Sequence, residues 1–176
     1  MANLKGHVFL TGFMGVGKSS TSKALSRMLG VSEKDTDVMI VEKEGCAIAK
    51  IFEKKGEEYF RSLETGILDD IKKLRPCVIS CGGGLVLREE NVKKMKESGK
   101  IVLLSATPET IYSHVKDSQS RPLLNGNMNI PYIKKLMSQR MPKYIAAADV
   151  IIETDGFNPK EVADKIVDTY LKYILK

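Results

Sequence analysis

Short apolar runs alternate along the chain with longer stretches in which apolar residues recur every three or four positions. Val8-Phe9-Leu10, Cys77-Val78-Ile79-Ser80, Ile101-Val102-Leu103-Leu104 after Lys100, and Val150-Ile151-Ile152 are too short for helices and predict buried strands. The periodic stretches predict helices over 19–29, 36–44, 47–55, 57–74, 88–97, 130–147 and 159–175, and another opened by Pro108. Their ends are marked: Gly30, Gly45 and Gly56 follow three of them, and Pro76 breaks the fourth. In 57–74 the apolar face is Tyr59, Phe60, Leu63, Ile67, Leu68 and Ile71. Pro142 predicts a kink in 130–147. Residues 118–129, rich in Gly, Asn and Pro, predict a loop that moves. Strands alternating with helices mean an α/β fold, a parallel sheet covered on both faces.

Composition narrows this picture. The chain has 176 residues, 43% of them hydrophobic, enough for one core, so a single domain over 1–176 is expected. No repeat, linker, leader or membrane-length apolar run is visible. Cys46, Cys77 and Cys81 are too few and too irregular for a disulfide framework, and no second Cys/His pair completes a metal site. Reduced thiols in a cytoplasmic protein are the reading. The charge of +6 raises nucleic acid as a partner, but the lysines lie along amphipathic stretches and aromatics are only 6%, which fits solvated helix faces. Arginine tells more: Arg27, Arg61, Arg75, Arg88, Arg121 and Arg140 are all there are, and fork geometry suits selected tasks.

Between the first strand and first helix, Gly12-Phe13-Met14-Gly15-Val16-Gly17-Lys18-Ser19 matches G-x-x-x-x-G-K-[ST] in full. Glycines let successive N–H groups point inward at phosphate oxygens, and the helix N-terminus adds partial positive charge. Lys18 reaches the β- and γ-phosphates, and the Ser19 hydroxyl is placed to ligate Mg²⁺. The loop does not choose between a GTPase, an ATPase and a kinase. A guanine-reading N-K-x-D stretch is missing, and the strand at 77–80 ends in Ser80-Cys81-Gly82 rather than in an acid. Asp35-Thr36-Asp37 is then the nearest carboxylate supply, for metal and acceptor or, equally, for capping the helix that follows. Arg61 and Glu64, three apart on a helix, can meet. Gly82-Gly83-Gly84 allows close approach of a ligand to backbone.

Taken in order, G-F-M-G-x-G-K-S, D-T-D, G-E-x-x-F-R-x-x-E, G-G-G, R-P-L-L and R-x-x-x-Y resemble the shikimate kinase family over nearly the whole chain. The resemblance implies a three-layer αβα fold like that of nucleoside monophosphate kinases, its parallel strands in the order 2-3-1-4-5. It implies transfer of the ATP γ-phosphoryl to the 3-hydroxyl of shikimate, with Mg²⁺, in aromatic amino-acid biosynthesis. ATP would be cradled by Gly12, Met14, Gly15, Val16, Gly17, Lys18, Ser19 and Ser20. Asp37 would activate the acceptor hydroxyl, with Lys18 and Arg121 as the other catalytic groups, Arg121 swinging in with a lid at about 116–129. Asp35 and Ser80 would join Ser19 in the Mg²⁺ shell.

The same resemblance puts the acceptor in a segment at about 35–64. Arg61 and Arg140 would hold its carboxylate, Glu64 would orient Arg61, Gly82, Gly83 and Gly84 would offer backbone, and Ile48, Phe52 and Phe60 would wall the ring. Two departures stand out. His114 lies where many members carry an arginine, often stacked on adenine, and residues 31–34 are more polar than the family's second strand. A related kinase for another small acid, such as gluconate, is the nearest alternative. A nucleotide or partner binder without catalysis is next, and a nucleic-acid binder third. A monomer is expected, with no nucleic-acid or membrane partner.

Overall fold

The structure, a computed structural model, describes residues 4–116 and 129–174, with side chains to residue 169. Helices alternate with strands from β1 (His7–Thr11) and α1 (Lys18–Leu29) through β2 (Glu33–Asp35), α2 (Thr36–Glu44), α3 (Ile48–Ile71) and β3 (Val78–Ser80). They continue with a 3₁₀ turn at Leu85–Leu87, α4 (Glu89–Ser98), β4 (Gly99–Ser105), α5 (Pro108–Val115), α6 (Ile130–Ala147), β5 (Val150–Glu153) and α7 (Pro159–Ile174). All strand pairings are parallel, in the order β2-β3-β1-β4-β5.

Position in that order explains the strand sequences. β1 lies between β3 and β4, and Val8, Phe9 and Leu10 are fully enclosed, as a strand covered on both faces must be. β3 is buried throughout. β2 is an edge, so Glu33-Lys34-Asp35 can be polar; its place comes from pairing Asp35 with Ser80 and from Ser22 Oγ donating to Glu33 at 2.7 Å. The strand expected near 31–34 is therefore the short 33–35, and the polar departure is what an edge permits. β5 is the other edge, with Ile151 half exposed.

α3 joins the two helices expected at 47–55 and 57–74. Gly56 breaks it with φ 79° and ψ 173°, a conformation side chains resist, and the second half ends at Ile71. α6 runs from Ile130 to Ala147 with Pro142 inside it and without interruption. α1 packs on α7, α3 on α2 and α4, and α5 on α6. Every strand points its C-terminal end to the same edge, where ligands bind in open parallel sheets.

Candidate active site

β1 ends in Thr11, and the chain turns through Gly12 (φ 144°), Gly15 (φ 79°) and Gly17 (φ 98°) into α1. A methyl group at Gly12 would strike the carbonyl oxygen of Leu104, and one at Gly15 would come within 2.5 Å of Val115 Cγ1. Glycine is thus demanded here by both backbone angle and space. Gly17 caps α1 without a side-chain bond, so α1's first N–H groups face the loop, as an anion site needs. Lys18 Nζ donates to the carbonyls of Gly12 (2.8 Å) and Phe13 (3.1 Å), which holds the ammonium over the loop.

The loop floors a cavity of about 510 Å³. Met14, Gly15, Val16, Gly17, Lys18, Ser19 and Ser20 line it from the loop, Asp35 and Asp37 from the start of α2, and Ser80, Gly82 and Gly83 from the end of β3. Thr21, Cys81, His114, Thr154, Phe157, Pro159 and Val162 complete it. Gly12 does not line it; its carbonyl serves Lys18 instead. Sequence reading missed the group at 154–162. The rule that ligands gather at the C-terminal ends of parallel strands points there, because these residues follow β5.

His114 Nδ1 stands 2.7 Å from the carbonyl oxygen of Gly15. A carbonyl only accepts, so Nδ1 carries the proton, and the ring is tied to the phosphate loop. At the other end of α5, Thr107 N–H and Oγ1 donate to Asp155 at 3.0 and 2.9 Å. Burial works to raise the Asp155 pKa, but bonds from Thr110 and Thr107 outweigh it and hold the carboxylate below its ordinary value.

Asp35 answers both readings of D-T-D. Its Oδ1 accepts from the N–H groups of Asp37 (2.9 Å) and Val38 (3.3 Å), capping α2. Its Oδ2 meets Ser19 Oγ at 3.4 Å, and Ser19 Oγ lies 3.3 Å from Ser80 Oγ. Thr36 is fully buried and accepts the Gly82 N–H at 2.8 Å, fastening β3's exit to α2.

The three consecutive glycines make room for side chains. A Cβ on Gly82 would sit 2.7 Å from Asp37 Oδ1, and one on Gly84 would strike Arg61 Nη1 and lie 2.8 Å from its Cζ. Gly83 is held by its carbonyl, which accepts from Tyr144 Oη at 2.6 Å, and Arg140 Nη1 lies beside it. Asp37, Arg61 and Arg140, from three helices, are gathered along one stretch of main chain.

Arg61 and Arg140 line a second cavity of about 470 Å³ with Gly84, Leu87, Arg88, Glu57 and Glu58. Arg61 Nη1 donates to Glu64 Oε2 at 2.7 Å, and the Glu64 side chain is only 2% exposed. Burial pushes the Glu64 carboxyl above its ordinary pKa, against the pull of Arg61. Burial pulls Arg61 down, but Glu64 and Glu57 outweigh it, so the guanidinium stays charged. Burial likewise raises the Tyr144 phenol, opposed by Arg140. Burial also raises the Cys81 thiol, which keeps it protonated beside the site.

Ile48, Phe52 and Phe60 line neither cavity: Phe52 and Phe60 pack on each other at 4.8 Å and, with Ile48, against the core. Arg121 and nearly all of the expected lid, 117–128, lie outside the described residues. Among the described residues no cluster of three His, Cys, Asp or Glu side chains forms a metal site.

Comparison of the whole chain with known proteins points to one family. A family model described as shikimate kinase matches residues 14–171. A shikimate kinase of Caldicellulosiruptor bescii is 41% identical over 165 residues, 94% of this chain and 95% of the relative. One of Dehalococcoides mccartyi is 38% identical over 170 residues, 97% and 96% of the two chains. Among solved structures, the shikimate kinase of Acinetobacter baumannii in complex with shikimate superposes with a TM-score of 0.90 at 32% identity, covering 97% of this chain and 96% of that one. A gluconokinase of Sinorhizobium meliloti reaches a TM-score of 0.61 at 12% identity over 98% of this chain and 95% of its own, a likeness of fold alone.

Proposed function

The chain belongs to the shikimate kinase family, and from that premise we propose how its own side chains carry out the reaction. It is an ATP-dependent phosphotransferase with an alcohol acceptor, shikimate. The acceptor's 3-hydroxyl oxygen bonds to the γ-phosphorus, the bond from that phosphorus to the β,γ-bridging oxygen breaks, and ADP leaves. Asp37 accepts the hydroxyl proton. The observation that carries this reading is the place of Asp37: it lines the phosphate cavity while its Oδ1 lies against Gly82, two residues from the glycine that seats Arg61.

The remaining roles follow from position. The glycine loop and the start of α1 cradle the phosphates, and Lys18 exchanges its carbonyl partners for phosphate oxygens. Arg61 and Arg140 hold the acceptor's carboxylate by charge-assisted bonds, and buried Glu64 keeps Arg61 in place. Arg121 neutralises charge on the transferred group, a role taken from the family's pattern. Ser19 Oγ has Asp35 Oδ2 at 3.4 Å and Ser80 Oγ at 3.3 Å, a set of hard oxygens that fits Mg²⁺ held directly or through water. When bound, that ion offsets charge on the β- and γ-phosphate oxygens. A monomer in the cytoplasm is the setting we propose; the cysteines are unpaired, and none of the described helices is long and apolar enough to cross a membrane.

The test is ADP release from MgATP with shikimate, with gluconate and with no acceptor. Turnover is expected on shikimate only. Turnover on gluconate with none on shikimate would overturn the reading.

A further inference from the structure

Every guanidinium edge that faces the second cavity from α3 is answered by a carboxylate, and one of these answers stands out. Glu64 meets Arg61 at Nη1 from a buried position. Glu57 meets the opposite edge: its Oε1 accepts from Arg61 Nε at 3.3 Å and from Nη2 at 3.0 Å. The Glu57 side chain is 66% exposed, so water takes it back at little cost, whereas Glu64 has no such exit. Glu57 also opens the second half of α3, directly after the Gly56 break. A carboxylate at a helix start is stabilised there by the free N–H groups, with or without a cation partner.

The Nε–Nη2 edge of an arginine forms a bidentate fork for one carboxylate at a time. Glu57 and an acceptor's carboxylate are therefore rivals for it. We propose that Glu57 is a built-in competitor for the acceptor site, an internal carboxylate that an incoming one must displace from Arg61. It acts as a filter. A small anion with only its charge to offer gains little by replacing Glu57, while a ligand that also bonds along Gly82–Gly84 and Arg140 gains enough. Arg88, which also lines this cavity, is itself paired, its Nη2 donating to Glu58 at 2.6 Å. This inference rests on the reading of Arg61 as the acceptor's carboxylate partner.

Steady-state kinetics at saturating MgATP on the wild type, Glu57→Gln and Glu57→Ala test it. An exposed pair of this kind is worth up to about 1 kcal/mol, so KM for shikimate should fall about two- to fivefold in both variants, with kcat nearly unchanged. An acceptor analogue with hydroxymethyl in place of the carboxylate has no claim on the fork, and its KM should not move. A shikimate KM that stays or rises in both variants would overturn the inference, as would an equal fall for the analogue. A wild type that does not phosphorylate shikimate would instead overturn the reading beneath it.

Discussion

The two ends of the site are built from different materials. The phosphate end is main chain: three glycines at positive φ, two of them, Gly12 and Gly15, pressed against the Leu104 carbonyl and Val115, at the mouth of a strand enclosed on both faces. The acceptor end is side chain: Arg61 from α3, Arg140 from α6, and carboxylates that divide the forks between them. Main chain in a packed core moves only with the core. Long side chains at a half-open cavity are adjusted singly. The first end thus fixes where a phosphate lies, while the second can be retuned by one substitution without touching the fold.

Asp37 sits where the two ends meet, and the largest effect is expected there. Asp37→Asn should lower kcat about 10²- to 10⁴-fold and leave both KM values nearly unchanged, measured by ADP release. Near-normal kcat would remove this residue from the chemistry and leave the two ends joined by position alone.

Two glycines sharpen the contrast directly. Gly12→Ala forces a methyl onto a backbone carbonyl at a disfavoured φ, so it should cost about 1–3 kcal/mol of stability and weaken ATP binding. Gly84→Ala meets only the guanidinium of Arg61, at an ordinary φ of −93°. It should raise the shikimate KM about tenfold by shifting the guanidinium, and lower Tm less than Gly12→Ala, because only the Arg61–Glu64 pair is disturbed and the backbone is not. Equal losses of Tm in the two variants would break the comparison.

The smallest effect is at the far end of β1. His7 is buried, and its Nδ1 accepts the Cys77 N–H at 3.2 Å. Burial lowers its pKa, against a bond with the Ile71 backbone that raises it. The unfolded chain then takes up this proton first, near the ordinary value of about 6.5, so stability is full above that pH and falls as pH drops toward the lowered folded value. His7→Gln should flatten the Tm profile between about pH 7 and 5 relative to wild type. An unchanged slope would show that other groups set it.

What could be read in the sequence follows the same division. Enclosed strands are continuous apolar runs, so β1, β3 and β4 were legible, and so was the loop whose glycine spacing is set by backbone angles. Gly56 and Gly45 marked helix ends because φ there is positive. β2 was not legible as a strand, since a three-residue edge carries no alternation and its place comes from pairing with β3. Arg61 with Glu64 is a local spacing and could be read. The meeting of Arg61 with Arg140 depends on α3 and α6 flanking the same glycines, and only the family resemblance anticipated it. Thr154, Phe157 and the bond from His114 to Gly15 escaped for that reason too, because each is a tertiary contact between distant segments.

Asp35 gives one oxygen to the entry of α2 and the other toward Ser19. A component shared in this way cannot be improved for one duty without risk to the other. Alanine scanning would report a single loss here and merge two causes. Asparagine separates them, because its amide oxygen still caps the helix while the negative charge is gone. The spared stability of Asp35→Asn and the stability lost in Asp35→Ala, set side by side, would measure how much of this residue belongs to architecture and how much to chemistry.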